Sequence, residues 1–307
     1  MPRDSAAELE RRSDELSPGE VNDSRDARAQ QVDLRARLER LPDGHPSSPY
    51  RDDGSRKPPA ADLAELEIPL PDELPSEEER TNPDGSWDWK GNYLTPEESR
   101  VADQALAKCR EAEGRDANGH YGDRGLTAAM RRIEAQLNHG HLVEDTEKFA
   151  LKEPNRFKEK LAKVISDEPD SDPAEIVSRI NDGVRYTYTY ADEQYSSGVM
   201  EVCGSLADAG FEMYERKNVW VDESKAYQGV NSSWMDHESK HLFEVQIHTP
   251  TSWRAKQEGH LAYEIIQASS STPEERAAAA QLQERIFGGV PIPPGVSDIP
   301  SYRKEGW

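Results

Sequence analysis

The sequence is short of the residues that fill a large hydrophobic core. Of its 307 residues, 34% are hydrophobic and 7% aromatic, while 32% are charged, and the mean hydropathy is −0.93. Such a chain cannot bury apolar surface along its whole length, so we expect a disordered part beside a folded region. No apolar run approaches the roughly 18 residues that cross a membrane, and no export signal is recognisable. We therefore expect a cytoplasmic protein without a membrane partner.

Cysteine and the familiar cofactor motifs are also scarce. The two cysteines, Cys109 and Cys203, form no CxxC pair and no disulfide framework, which is typical of a reducing compartment. The chain contains no GxGxxG, GxxxxGK[ST] or GxSxG sequence. These absences exclude the usual dinucleotide-binding, P-loop and serine-hydrolase sites.

Positive charge is in the minority throughout the chain. The net charge is −22, and residues 1–90 carry 13 Lys and Arg against 23 Asp and Glu, leaving 25 against 37 for the remainder. An extended nucleic-acid interface needs clustered cations, and no such cluster is visible. A small anionic ligand, held by a few local cations together with a divalent metal ion, remains compatible with this composition.

Composition and periodicity divide the chain into four parts. Residues 1–90 are predicted to be a disordered, acidic, proline-rich leader with an isolated helix over 18–41, available to an antitoxin or a tethering partner. Residues 91–139 form a helical lead-in, 140–290 the folded domain and 291–307 a C-terminal tail. The order of helices, then β-α-β-β-β, then helices predicts an α+β fold with a mixed sheet of about four to five strands flanked by helices.

The stretch HLFEVQIHT at residues 241–249 carries the main candidate chemistry. With a period of two, its apolar residues share one face, and Glu244, Gln246 and His248 share the other. The polar face is either a solvated surface or the floor of a site. Glu244 and His248 lie about 13 Å apart along a strand, so one metal ion cannot bind both. A metal would need Glu244 and a ligand from another strand, for which Asp182 is the best candidate; two carboxylates suit Mg²⁺.

Four motifs, in order, resemble the synthetase domain of RelA/SpoT-like nucleotide pyrophosphokinases. They are INDGVRY, ERKNVW, YQGVN and FEVQIHT, and the resemblance covers roughly residues 140–265. It is closest to the toxin-like or phage-associated branch, where a following set recurs that is present here as Trp253, Lys256, His260 and Tyr263. The resemblance implies a nucleotidyltransferase-like fold and transfer of the β,γ-pyrophosphate of ATP to a 3′-hydroxyl of a nucleotide.

The resemblance also implies roles for individual residues. Asp182 and Glu244 would hold Mg²⁺ across the donor phosphates, and Glu244 would act as the base on the acceptor hydroxyl. The cations that would bind the donor are Lys152, Lys160, Arg185, Lys217 and Lys225. The residues that would bind the acceptor are Tyr227, which would stack on its base, with Asn231, Gln246 and His248.

This sequence departs from the resembled enzymes at several of these positions. Thr187 stands where they have an arginine that packs on adenine, and the nearest arginine here is Arg185. Gly229 replaces a serine and Asn231 a histidine, while Lys225 lies two residues before the tyrosine rather than four. These differences bear on donor binding and on the identity of the acceptor.

Three interpretations follow from these residues. The first is an alarmone synthetase or growth-inhibiting toxin, without a hydrolase half because no HD-type motif is present; its acceptor is a guanine or adenine nucleotide, or the 3′ end of tRNA. The second is a catalytically silent nucleotide-binding or interaction module of a larger toxin or phage assembly. Thr187 favours the second, and two uncompensated carboxylates in one cleft argue against it. The third is a polar strand face that is merely solvated.

Overall fold

A computed structural model describes residues 80–89, 91–116, 120–222, 226–267 and 271–307. The predicted leader, with its helix over 18–41, therefore lies almost wholly outside the described residues, and Lys225 does too. The chain divides into two compact units. One comprises Asn82–His260 with Val290–Trp307, and the other includes Leu261–Gly289. None of the helices in the described ranges combines the length and the apolar character that a membrane crossing requires.

The larger unit carries all the strands of the described residues. They are β1 (Trp87–Trp89), β2 (Asn92–Leu94), β3 (His141–Leu142), β4 (Arg185–Thr189), β5 (Glu212–Asn218), β6 (Val230–Asp236), β7 (His241–His248) and β8 (Tyr302–Arg303). The helices are α1 (Pro96–Glu113), α2 (Leu126–Glu134), α3 (Thr146–Ala150), α4 (Pro154–Asp167), α5 (Pro173–Ser178), α6 (Tyr195–Asp208), α7 (Pro250–Glu258), α8 (His260–Gln267) and α9 (Pro273–Phe287).

Six of the strands form one mixed sheet in the order β3-β4-β7-β6-β5-β8. β4 and β7 are parallel, and every other neighbouring pair is antiparallel. The predicted α+β fold is confirmed, and its four predicted strands are the long inner ones, β4 to β7. The two edge strands, β3 and β8, have two residues each, too few for a period-two pattern to reveal. β8 lies within the segment that was predicted as a C-terminal tail.

Local capping signals fix where the helices begin. Thr95 caps α1 in a capping box with Glu98, as the Thr-Pro-Glu-Glu sequence predicts. Pro154 separates α3 from α4, and the Asp172 side chain caps α5 at the Ala174 amide. The stretch TSWRAKQEGHLAYEIIQ, residues 251–267, has a helical pattern throughout and predicts one helix, and this prediction is wrong. The chain forms two helices there, α7 and α8, which are divided at Gly259, the C-cap of α7.

The apolar face of the sheet packs under α2 and α6. The Tyr186 hydroxyl lies 2.7 Å from Thr127 Oγ1, and the Tyr188 hydroxyl donates to the Met130 carbonyl at 2.8 Å, so both tyrosines reach α2. The hydroxyl of Tyr195, the first residue of α6, donates to the Ile247 carbonyl on β7. These buried hydroxyls are therefore satisfied within the core, which the aromatic strand sequence YTYTY builds from large, flat side chains.

A small hairpin, β1–β2, attaches the start of the described chain to α4. Trp87 is fully buried, and its indole nitrogen donates to Asn155 Oδ1 at 2.8 Å across 68 residues of sequence. The Arg156 guanidinium lies over the Trp89 ring, 4.5 Å from its centroid. The two tryptophans of SWDWKGNY are thus packing residues that hold the first turn of α4.

Asn155→Ala should lower the free energy of unfolding by about 1–3 kcal/mol, because it leaves the buried Trp87 N–H without its acceptor. The measurement is urea unfolding followed by circular dichroism. The double variant Trp87→Phe, Asn155→Leu should lose less free energy of unfolding than the sum of the losses of Trp87→Phe and Asn155→Leu. In the double variant neither buried polar partner remains to be left without a hydrogen bond. Equal stability of Asn155→Ala and the parent chain would contradict the assignment.

Candidate active site

The pairing register of the sheet gathers polar side chains on one face. Arg185 of β4 pairs with Glu244 of β7, and Ser233 of β6 pairs with Glu244 from the other side. In the next row, Thr187 and Asn231 flank Gln246. Cross-strand partners share a face of the sheet, so these side chains and His248 form what we call the polar face.

Burial excludes the solvated interpretation of this face. The exposed fractions are 9% for Glu244, 5% for Gln246 and 0% for His248. A carboxylate and an imidazole withdrawn from water to this degree need partners, since unpaired buried polar groups are costly. The polar face is therefore an enclosed polar layer, as a site floor would be.

Cations surround the two candidate carboxylates. Asp182, three residues before β4, pairs with Lys152 Nζ and Lys160 Nζ, each at 2.8 Å. Lys152 lies just before α4, and Lys160 lies on it, so one segment delivers both. The expectation that Asp182 is uncompensated is wrong: two lysines neutralise it.

The surroundings move the pKa values of the two carboxyl groups in opposite directions. Burial by itself raises the pKa of Asp182, but Lys152 and Lys160 outweigh it and hold that pKa below its usual range. For Glu244, burial and the negative charge of Asp182 outweigh Arg185, Lys256 and Lys160, and the pKa is raised. Two neighbouring carboxyls with divergent proton affinities are typical of acid–base sites.

His248 is held as a neutral imidazole. Its Nε2 lies 2.8 Å from the Tyr227 hydroxyl and its Nδ1 2.9 Å from Ser252 Oγ. Because the Tyr227 hydroxyl donates to Asn231 Oδ1 at 2.7 Å, its oxygen accepts the proton of Nε2. Burial, with Lys256 and Arg185 nearby, lowers the pKa of His248 well below its usual value.

A cleft of 680 Å³ opens beside this network. Its lining includes Lys217, Tyr227 and Asn231, which the sequence assigned to donor or acceptor binding, together with Asp222 and Ser301. Lys217 projects from β5, and its side chain is 63% exposed, paired with Glu215 at 3.1 Å. Lys217 thus lies on the cleft side rather than with the lysines that bind Asp182. Among the acceptor candidates, Tyr227, Asn231 and His248 are joined by hydrogen bonds.

The structure gives a physical reason for one of the departures in sequence and places a second. A Cβ atom at Gly229 would lie 2.8 Å from His248 Cε1 and 3.0 Å from the Tyr227 hydroxyl oxygen, so a side chain does not fit while His248 holds its position. Thr187 is 3% exposed beside Gln246. The arginine of β4 instead lies one row away, next to Glu244.

Two contributors to the site had no assigned role in the sequence interpretation. Lys256 of α7 donates a hydrogen bond to Gln246 Oε1, and Ser252 of the same helix holds His248. Gln246 Nε2 in turn donates to Glu244 Oε2 at 3.0 Å. Helical spacing after a capping residue was the available signal, because Ser252 and Lys256 are four residues apart and share one face of α7.

Comparison with known proteins gives similarity of fold only. No protein-family model and no curated protein matches the chain. Among solved structures, the small alarmone synthetase 1 from Bacillus subtilis has a TM-score of 0.40 at 12% identity, covering 61% of this chain and 89% of that one. The same synthetase bound to its product pppGpp has a TM-score of 0.39 at 13% identity, covering 61% and 90%.

A GTP pyrophosphokinase family protein from Streptococcus pneumoniae has a TM-score of 0.38 at 12% identity, covering 64% of this chain and 89% of that one. These proteins are of the kind that the four motifs resemble. The toxin-like branch stays a prediction. At such TM-scores the similarity carries no argument about activity, which has to come from the residues of the site.

Gly229→Ala should lower the free energy of unfolding by about 1–3 kcal/mol, because the added methyl group meets His248 and Tyr227 in a packed layer. Urea unfolding measures the change. Gly204→Ala is the matched control: a Cβ at this position of α6 has nothing within 4 Å, and alanine favours a helix by up to about 1 kcal/mol. Equal effects of the two substitutions would contradict the packing argument.

His248 should make stability fall as the pH drops from about 7 through the ordinary pKa of histidine. Its pKa is lowered on folding, so the unfolded chain binds more protons in this window, and the free energy of unfolding falls as the pH drops below about 6.5. His248→Gln should remove up to about 1.4 kcal/mol per pH unit of that slope, measured by urea unfolding at several pH values. His241, whose pKa is also lowered, leaves a residual slope.

The matched control is His120→Gln, which removes an exposed imidazole, 80% accessible, instead of a buried one. An unchanged slope in His248→Gln would show that the imidazole is not held neutral.

Proposed function

We propose that this chain is a pyrophosphokinase that transfers the β,γ-pyrophosphate of ATP to the 3′-hydroxyl of a nucleotide. The observation that carries the proposal is the position of Glu244, a buried carboxylate with a raised pKa on a sheet face ringed by cations. A base for a hydroxyl proton needs such a pKa, and a polyphosphate needs such cations. Both requirements meet within one cluster.

The cations supply a binding site for a highly charged donor within an otherwise acidic protein. Lys152, Lys160 and Arg185 act electrostatically on Asp182 or Glu244. Their three positive charges exceed the two negative charges of the carboxylates. Burial and neighbouring cations lower the pKa of Lys152, so an incoming phosphate anion relieves repulsion among these groups.

Asp182 and Glu244 are the two carboxylates that we propose for a magnesium ion completed by substrate phosphates, although both oxygens of Asp182 are paired with lysines in this structure. No group of three or more His, Cys, Asp or Glu side chains at ligand spacing occurs in the described ranges, so a preformed protein cage is not present there. Mg²⁺ commonly binds one or two carboxylates together with water and substrate phosphates. Asp182 and Glu244 would hold it, and the ion would neutralise charge on the donor phosphates.

In the proposed reaction, the acceptor hydroxyl attacks the β-phosphorus of ATP. The bond from that phosphorus to the oxygen bridging to the α-phosphate breaks, AMP leaves, and Glu244 takes the hydroxyl proton. The cleft beside Tyr227 and Asn231 is the proposed acceptor site. It is large enough for a nucleotide base and sugar, and Lys217 at its edge suits an acceptor phosphate.

A silent nucleotide-binding module is the second candidate. Two observations favour it: both oxygens of Asp182 are paired with lysines, and Thr187 brings no cation to the face. A module of this kind would bind nucleotides without transferring a phosphoryl group.

Incubation with Mg²⁺, γ-labelled ATP and a panel of acceptors (GDP, GTP, AMP, ADP and tRNA) tests the proposal. Label should move to at least one acceptor, and Glu244→Gln should lower the rate at least about 100-fold, the usual contribution of a general base. Glu212→Gln, which alters a half-buried carboxylate paired with Lys304 outside the site, should leave the rate unchanged.

Transfer that survives Glu244→Gln would remove Glu244 as the base. Nucleotide binding without transfer to any acceptor would establish the silent module instead. The acceptor that takes the label also decides among guanine nucleotides, adenine nucleotides and the 3′ end of tRNA.

A further inference from the structure

The Gln246 side chain connects Lys256 to Glu244. Lys256 Nζ donates to Gln246 Oε1, and Gln246 Nε2 donates to Glu244 Oε2 at 3.0 Å. Glu244 and Gln246 are two residues apart on β7 and point to the same side of the sheet, whereas Lys256 comes from α7. Both ends of the amide are therefore used inside the protein, although the sequence assigned Gln246 to the acceptor.

An amide between a lysine and a carboxylate has only one favourable orientation. The ammonium group of Lys256 is a donor without an acceptor, so the amide oxygen of Gln246 must face it. The amide N–H₂ group is then directed at Glu244. If the lysine is removed, the amide can turn over and direct its oxygen at the carboxylate, which replaces a hydrogen bond by repulsion.

Helix α7, which carries Lys256, is anchored where it begins. Thr249 and Ser252 form the capping box of this helix, and Ser252 also contacts His248 at the end of β7. The Lys256 ammonium lies 4.6 Å from the centroid of the Trp253 ring. The lysine is thus fixed by hydrogen bond and aromatic contact rather than extended freely into the site.

We propose that Lys256 is a positioning residue that acts on Glu244 through the Gln246 amide. The inference rests on the proposed function, in which Glu244 is the base. The lysine fixes the amide, the amide fixes one carboxylate oxygen, and the other oxygen is directed to the acceptor hydroxyl. A base displaced by even 1 Å loses up to about 100-fold in rate.

Steady-state kinetics of Lys256→Met, Gln246→Met and the double variant test this arrangement. Each single substitution should lower kcat at least about 10-fold with little change in the KM for ATP. The double variant should be no slower than the slower single one, because both break the same connection. Lys256→Arg, which still donates to the amide oxygen, should recover most of kcat. Arg254→Met, on the exposed side of α7, is the control.

Two kinetic results would overturn the proposal. A raised KM for ATP with unchanged kcat in Lys256→Met would make the lysine a phosphate ligand. Losses that multiply in the double variant would show that the two residues act separately.

If the protein transfers label to no acceptor, the proposed function is wrong, but the hydrogen bonds from Lys256 through Gln246 to Glu244 can still be tested. Thermal unfolding of the same variants then tests them: the shifts in Tm should not add if Lys256 and Gln246 are bonded, and additive shifts would overturn the inference.

Discussion

The parallel pairing of β4 with β7 is the constraint on which the site depends. It places Arg185 opposite Glu244 and brings Asp182, just before β4, to the same end of the two strands. A shift of β7 by one residue along its neighbours would turn each of its side chains to the other face of the sheet. The register therefore decides whether Glu244 lies beside cations or in the apolar core. The tyrosines of β4, fixed under α2, hold that register from the opposite face.

Burial gives the polar face its chemistry. A carboxylate in water beside lysines would have its proton affinity lowered, whereas Glu244 is withdrawn from water, and its pKa rises despite the cations. Asp182 responds in the opposite way because two lysines contact it directly. Helix α7 completes the layer, since Ser252 and Lys256 provide partners for His248 and Gln246, the two buried residues that follow Glu244 on the same face of β7.

Much of this arrangement could be predicted from local patterns. The alternation in FEVQIHT gave the strand and its two faces, and the Thr-Pro-Glu-Glu capping sequence located the start of α1. The spacing along one strand also predicted that Glu244 and His248 are too far apart to share one metal ion. What local patterns missed were two-residue edge strands, the break before α8 and the contacts of α7, because each depends on partners distant in sequence.

The sequence by itself determined the acidic composition, the α+β order of elements and the side-chain set on each strand face, since these depend on neighbours a few residues apart. Only the tertiary structure decided that Lys152 and Lys160 neutralise Asp182, that Gln246 is occupied by Lys256 and Glu244, and that position 229 leaves no room for a side chain. Such contacts join segments far apart in sequence, or depend on how a helix turns back over a strand. Local periodicity carries no information about them.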